Sequence, residues 1–103
     1  MFDYQARRQR LLRLIAEKSA TAVLVTDEVN VRYFSGFSGD SSYFLLSEDR
    51  QFIITDSRYD TQIANECPDL ELVTRTAAQE MKTLVGETIR QLGPLLRPLT
   101  YEQ

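Results

Sequence analysis

Three acidic side chains follow predicted strands and are the first candidates for chemistry. Asp27 and Glu28 follow one apolar run, and Asp56 follows another. Because open α/β sheets gather ligands at strand ends, these acids could form a phospho-acceptor site or bind a metal in a nuclease. A phospho-acceptor site also needs a cation, yet the only lysines, Lys18 and Lys82, fall on predicted helices. We therefore favour helix capping by Asp27 and Asp56.

Histidine is absent from the 103 residues. This excludes Ser-His-Asp and Cys-His arrangements and any metal site with an imidazole ligand. The single cysteine, Cys67, precedes Pro68 and has no basic neighbour in sequence, so we expect an inert packed thiol. One cysteine also excludes an internal disulfide and suits a reducing cytoplasm. We predict no catalytic residue and no metal ligand in this chain.

Two polar segments bracket a predicted β-hairpin. The apolar runs 43–46 and 52–54 have the length of strands. The loop 35–40 precedes the hairpin, and its two glycines lack the spacing of a phosphate-binding loop. The segment 56–59 follows the hairpin, where a helix is predicted to begin. Four hairpin side chains are expected to be buried: Phe44, Leu46, Phe52 and Ile54.

The remaining pattern predicts alternating helices and strands. The segments assigned are a helix at about 4–18, a strand at 22–26, a short helical turn from Asp27 to Phe34, a helix from Ser57 to Cys67, a strand at 70–74, a helix at 81–92 and the start of a strand at Leu99. With the hairpin, the order is α-β-α-β-β-α-β-α-β. This order predicts one domain with a mixed sheet and helices on both faces.

Charge is distributed unevenly around a net value of −3. The first 18 residues are basic, and we assign their cations to the solvated face of an amphipathic helix: Arg7, Arg8, Arg10, Arg13 and Lys18. Nucleic-acid binding is the alternative, but no aromatic or glycine-rich RNA-binding signature accompanies the arginines. No apolar run has the length of a membrane span, and the N-terminus does not read as a signal peptide. We expect a cytoplasmic protein that binds neither nucleic acid nor membrane.

Two motifs carry a family resemblance. The segment Asn30–Gly39 reads NVRYFSGFSG, and Thr55–Tyr59 reads TDSRY. Their order and spacing, together with the basic first helix, resemble the N-terminal domain of the creatinase, prolidase and Xaa-Pro aminopeptidase family. The resemblance covers essentially the whole chain, residues 1–103.

This resemblance implies a fold and a parent activity. The implied fold is a ribonuclease-H-like, three-layer αβα sandwich with a mixed sheet of five or six strands. The implied parent is a metallopeptidase that removes an N-terminal residue preceding proline or cleaves Xaa-Pro dipeptides. In the family, a separate "pita-bread" domain holds two divalent metals, commonly manganese. The chain thus resembles the non-catalytic half of such an enzyme, and no cofactor is expected in it.

The resemblance also implies an assembly. Family members are dimers or tetramers in which the N-terminal domain of one subunit walls the active site of another, so a homodimer that acts on proline-containing peptides is expected. The surfaces implied to face that site are the loop Phe37–Ser41 and the turn Asp56–Tyr59. The candidate wall residues are Phe37, Asp40, Arg58 and Tyr59.

Asp40 is our candidate for a substrate's amino group, and Arg58 for a carboxylate of the peptide or of the partner subunit. The alternative is structural: Arg58 pairs with Asp56 or Asp60 on the surface, and Tyr59 packs inward. A second function also remains open, that of a free-standing protein-interaction module with this fold and no peptidase activity.

Overall fold

A computed structural model describes residues 3–75, 80–92 and 98–101. The elements follow the predicted order, with a single 3₁₀ turn at Ser57–Tyr59. The helices are α1 (Tyr4–Ala16), α2 (Glu28–Ser35), α3 (Asp60–Glu66) and α4 (Met81–Gln91). The strands are β1 (Ala22–Val25), β2 (Tyr43–Ser47), β3 (Gln51–Asp56), β4 (Glu71–Arg75) and β5 (Pro98–Tyr101).

The strands form one mixed sheet in the order β4-β3-β2-β1-β5. β2 pairs antiparallel with both β1 and β3, whereas β1 pairs with β5 and β3 with β4 in parallel. The sheet therefore has five strands, within the predicted number. Its central strand, β2, belongs to the hairpin that the apolar runs indicated.

Helices cover both faces of this sheet, which confirms the three-layer αβα sandwich. One core lies between the sheet and α1, α2 and α3, and a second lies between the sheet and α4. Successive strand residues point to opposite faces, so Phe44 and Leu46 enter the first core while Phe52 and Ile54 enter the second. All four are at most 2% exposed, as predicted. The hairpin is buried on both faces.

Two of the chain's aspartates explain where helices begin, and a third does not. The Asp3 carboxylate accepts a hydrogen bond from the Ala6 N–H, and the Asp27 carboxylate accepts one from the Asn30 N–H, so both cap helices. The predicted cap at Asp56 is wrong. Its side chain makes no capping hydrogen bond and instead pairs with Arg58.

Arg8 departs from the predicted solvated face of α1. It is 2% exposed, and its guanidinium donates to the carbonyls of Phe34, at 2.8 Å, and Ser35, at 3.3 Å. It also forms an ion pair with Asp69. The last carbonyls of a helix lack partners within it and carry partial negative charge. A buried cation at the end of α2 satisfies them and fastens α1 to α2.

Candidate functional site

The loop before β2 and the turn after β3 lie side by side at one end of the hairpin. Antiparallel pairing of Tyr43 with Ile54 brings them together. A hydrogen bond of 3.0 Å between the buried hydroxyls of Ser42 and Thr55 joins the loop to the last residues of β3. The hairpin register thus sets which side chains of the two segments meet.

Four side chains meet there in one hydrogen-bonded group, which we call the Asp40 cluster: Asp40, Asp56, Arg58 and Tyr59. Arg58 donates from Nη2 to Asp40 Oδ1 at 3.2 Å and from Nε to Asp56 Oδ1 at 3.0 Å. The Tyr59 hydroxyl donates to the same Asp40 oxygen. The side chains of Arg58 and Asp40 are 61% and 56% exposed, so the cluster faces solvent.

One oxygen of the Asp40 carboxylate is left without a hydrogen bond in the described part of the chain. Asp40 Oδ1 accepts both bonds, while Asp40 Oδ2 accepts no hydrogen bond from any residue in the described part of the chain. The hydrogen bond to Asp40 raises the pKa of Tyr59, because it stabilises the neutral phenol. Tyr59 therefore stays a donor at neutral pH and holds the carboxylate with one oxygen directed elsewhere.

Phe37 and Gly39 support the cluster from below. The Phe37 ring is fully buried and packs edge-on against Tyr59, with 5.1 Å between ring centroids and 78° between planes. A Cβ at Gly39 would lie only 2.3 Å from Phe37 Cζ. Glycine therefore allows the loop to close over the phenylalanine. Phe37 positions Tyr59 and does not itself reach the surface.

A second set of contacts holds the loop from α3, and we call it the Ser38 clamp. The Glu66 carboxylate accepts from both the N–H and the hydroxyl of Ser38, each at 3.0 Å. Gln62 donates to the Ser38 hydroxyl at 2.9 Å, and Arg32 donates to its carbonyl at 3.3 Å. The bond from the Ser38 backbone lowers the pKa of Glu66. The clamp fixes the segment that carries Asp40.

The structure therefore brings together the four candidate wall residues, which are Phe37, Asp40, Arg58 and Tyr59. Arg58 pairs with Asp56, as the structural alternative held, and it also pairs with Asp40, which neither interpretation included. Tyr59 is half-buried, with its ring inward and its hydroxyl on Asp40. The Ser38 clamp was not predicted from the sequence. The only local signal for it was the spacing of Gln62 and Glu66, which places them on one face of a helix.

Among the described residues, two other kinds of site are relevant, a metal site and a reactive thiol. In the ranges 3–75, 80–92 and 98–101, no three His, Cys, Asp or Glu side chains gather so that they could hold a metal. Cys67 is buried, and burial raises the pKa of its thiol to about 12, so it stays protonated. Of the helices described, none is long and apolar enough to cross a membrane.

The fold and the Asp40 cluster define a three-layer α/β domain that presents two loops at the ends of the central strands β2 and β3. Residues 7–101 match the family model of the Creatinase/Prolidase N-terminal domain. The chain belongs to this family, as its two motifs predicted.

Relatives are similar over nearly all of this chain. It is 27% identical over 95 residues to the "Uncharacterized peptidase YqhT" of Bacillus subtilis (strain 168), which is 92% of this chain and 26% of that protein. A Xaa-Pro dipeptidase from Bacillus anthracis superposes with a TM-score of 0.79 at 27% identity, over 87% of this chain and 25% of the other. The chain therefore spans about a quarter of the length of these relatives.

One solved N-terminal domain matches this chain over nearly the full length of both. The N-terminal domain of the cytoplasmic peptidase PepQ from Mycobacterium tuberculosis H37Rv superposes with a TM-score of 0.71 at 26% identity. The match covers 94% of this chain and 93% of that one. That structure is of an N-terminal domain by itself.

Proposed function

We propose that this chain is the non-catalytic N-terminal domain of a cytoplasmic Xaa-Pro peptidase of the aminopeptidase P or prolidase type. In this proposal the domain joins subunits and places its Asp40 cluster at the wall of a neighbouring subunit's substrate site. Family membership and the peptidase names of the relatives support the parent activity. The observation that carries the site is the exposed Asp40 carboxylate, held by two donors on one oxygen with the other oxygen available.

The chemistry of this wall follows from its charges. The free oxygen of Asp40 suits the protonated amino group of a short peptide, since charge-assisted hydrogen bonds are the stronger ones. Arg58 presents a planar guanidinium fork, which suits a carboxylate. It can exchange Asp40 or Asp56 for a carboxylate of the peptide or of the partner. Tyr59 and Phe37 hold both groups in place and touch no substrate in this proposal.

Metal chemistry is assigned to the remainder of the peptidase. We propose two divalent metals there, with manganese expected, because the family resemblance implies them in the catalytic domain. The present chain has no histidine, and its described residues form no metal-ligating group. No step of peptide-bond cleavage is assigned to this domain. The purified chain should therefore leave Xaa-Pro peptides intact with any added divalent metal. Turnover that survives controls for contaminating protease would contradict this.

The decisive test mixes subunits of the parent enzyme. Asp40→Ala or Arg58→Ala should lower kcat/KM for short Xaa-Pro peptides with little loss of fold stability. A hybrid of either variant with a metal-site variant should regain activity, because one subunit then supplies the wall and the other the metals. Arg50→Ala is the matched control, since Arg50 is also ion-paired and lies over an aromatic ring at the same 4.7 Å. Unchanged kinetics in the Asp40 and Arg58 variants would remove both residues from the site.

The reading frame after Gln103 separates this proposal from a free-standing interaction module. A following domain that carries histidines and clustered acids supports the peptidase. A reading frame without such a domain supports the module.

A further inference from the structure

The end of α2 is held from α1 at the point where the loop before β2 begins. Arg8 donates to the carbonyls of Phe34 and Ser35, the last two residues of α2. Gly36 then turns the chain out of the helix with a φ of +83°, and a Cβ there would lie 3.0 Å from the Tyr4 ring. Tyr4 lies one turn before Arg8 on α1. One face of the first helix therefore fixes both the last turn of α2 and the residue with which the loop starts.

A series of direct contacts leads from the end of α2 to the Asp40 cluster. The Ser35 hydroxyl accepts from the Phe37 N–H at 3.0 Å, and both residues are buried. The Phe37 ring packs edge-on against Tyr59, whose hydroxyl donates to Asp40. Energetic coupling between sites is carried by such contiguous packing and hydrogen bonds. A displacement of the end of α2 should therefore reach the Asp40 carboxylate.

Arg8 also relates this loop to the other side of the cluster. Its guanidinium forms an ion pair with Asp69. Gln51, at the start of β3, donates to the Asp69 carbonyl at 3.0 Å. The far end of β3 leads directly into the turn that carries Arg58 and Tyr59. The same buried side chain is therefore bonded to the end of α2 and, through Asp69, to the strand that precedes Tyr59.

We propose that Arg8 is a positioning residue for the Asp40 cluster. Its planar fork sends three donors in fixed directions, to two carbonyls of α2 and to Asp69. This sets where the loop leaves α2 relative to β3, and so holds the Asp40 carboxylate on the Tyr59 hydroxyl. A lysine keeps a charge beside Asp69, but a single ammonium does not reproduce the fork. Arg8 touches no substrate in this proposal.

The Tyr59 phenol reports on this geometry in the purified chain. Its hydrogen bond to Asp40 raises its pKa, so a displaced loop should bring that pKa back toward 10.0. We expect this fall in Arg8→Lys and in Arg8→Met. Ultraviolet difference titration isolates the phenol when each variant is compared with the same variant carrying Tyr59→Phe. If Arg8 serves stability alone, the pKa of Tyr59 will stay unchanged in every variant that folds, and this result would overturn the proposal.

Two further variants keep the test specific. Ile15→Ala removes buried apolar contacts of the same helix, two turns beyond Arg8, and should lower stability without moving the pKa of Tyr59. Ser35→Ala removes the hydroxyl that accepts from Phe37 and leaves the buried charge in place, so it should lower this pKa in a folded chain. It tests the contacts even if both Arg8 variants unfold, which circular dichroism at the titration pH detects. An unchanged pKa in Ser35→Ala, or an equal fall in Ile15→Ala, would contradict the proposal.

The effect on turnover rests on the proposed function and is measured separately. In the parent enzyme, Arg8→Lys should raise KM for short Xaa-Pro peptides roughly tenfold with little change in kcat, the scale of one weakened charge-assisted hydrogen bond to bound substrate. If the pKa of Tyr59 falls in Arg8→Lys while KM stays the same, Arg8 remains a positioning residue and the substrate wall is contradicted. If the pKa stays the same, Arg8 has no positioning role, and the kinetic tests of Asp40 and Arg58 are unaffected.

Discussion

The β2–β3 hairpin carries an arginine–carboxylate pair at each end, and the two pairs differ in completeness. At the tip, Arg50 contacts both oxygens of Glu71, at 3.0 Å and 2.7 Å, and this lowers the pKa of Glu71. At the base, Arg58 and Tyr59 converge on a single oxygen of Asp40. Each arginine lies 4.7 Å from an aromatic ring centroid. Both ends combine an arginine, a carboxylate and an aromatic ring, but only the base keeps a carboxylate oxygen, that of Asp40, available to accept a hydrogen bond.

In the Arg50–Glu71 pair both carboxylate oxygens are bonded, whereas the Arg58–Asp40 pair leaves one oxygen for a ligand. Exposed ion pairs contribute little to stability, so neither pair explains the fold. The base is supported by features that the tip lacks: the buried Phe37, the closely packed Gly39 and the clamp on Ser38. A binding surface is expected to hold its side chains in place while leaving some of their hydrogen-bonding atoms available to a ligand.

The largest expected effect comes from the middle of the hairpin, which holds both ends. Phe44→Ala should destabilise the domain by about 3–5 kcal/mol, because Phe44 is fully buried in the larger core. Chemical denaturation measures this change. An unchanged denaturation midpoint would show that Phe44 does not hold the hairpin in the core. The tip and the base would then not share one rigid support.

The next largest effect sharpens the contrast at the base. Gly39→Ala should cost about 1–3 kcal/mol, since its Cβ would collide with the Phe37 ring and displace the loop. Gly86→Ala in α4 is the control, because its Cβ would meet nothing nearer than Arg90 Nη1 at 3.9 Å. There alanine should stabilise the helix by about 0.4–1 kcal/mol. Thermal denaturation of both variants tests the pair, and equal shifts would contradict close packing at Gly39.

A pH titration tests the hydrogen bond that holds Asp40. The folded-state pKa of Tyr59 lies above its ordinary value of 10.0, so the bond's contribution to stability is complete at neutral pH. It is lost as the pH rises above 10 through the folded-state pKa. Ultraviolet difference titration against Tyr59→Phe isolates this phenol. Asp40→Asn should return the pKa toward its ordinary value, and no shift in that variant would exclude Asp40 as the cause.

The smallest expected effect compares the two arginines directly. Arg58→Ala and Arg50→Ala should each leave the free energy of unfolding almost unchanged, because exposed ion pairs contribute little to stability. Urea denaturation of both variants provides the measurement. A loss of several kcal/mol in Arg58→Ala alone would assign the base pair a structural role and remove the contrast with the tip.

The sequence predicted local elements well, because each depends on neighbouring residues. The apolar runs at 43–46 and 52–54 located a hairpin, and Asp27 marked the start of α2. The two family motifs contain Phe37, Arg58 and Tyr59, and Asp40 directly follows the first motif; the structure brings these four side chains together. Contacts between distant positions carried no such signal. Nothing in the periodicity of α1 shows that Arg8 meets carbonyls 26 and 27 residues away. Nor does the sequence show that Glu66 holds Ser38 at a separation of 28 residues.

Asp56 shows a further limit. An acid before a helical turn is usually a cap, but here Arg58 lies two residues on and forms a charged pair with it. Choosing between a backbone N–H and a guanidinium as the partner requires side-chain geometry. The sequence contains both options and does not rank them.

The buried guanidinium of Arg8 has a consequence for synthesis on the ribosome. Arg8 lies 61 residues before Asp69, whose carboxylate pairs with it. Desolvating a cation without its counter-charge is unfavourable. During synthesis we therefore expect α1 to dock stably only after Asp69 has left the exit tunnel. Until then the apolar stripe that carries Leu11 and Ile15 should stay accessible to chaperones.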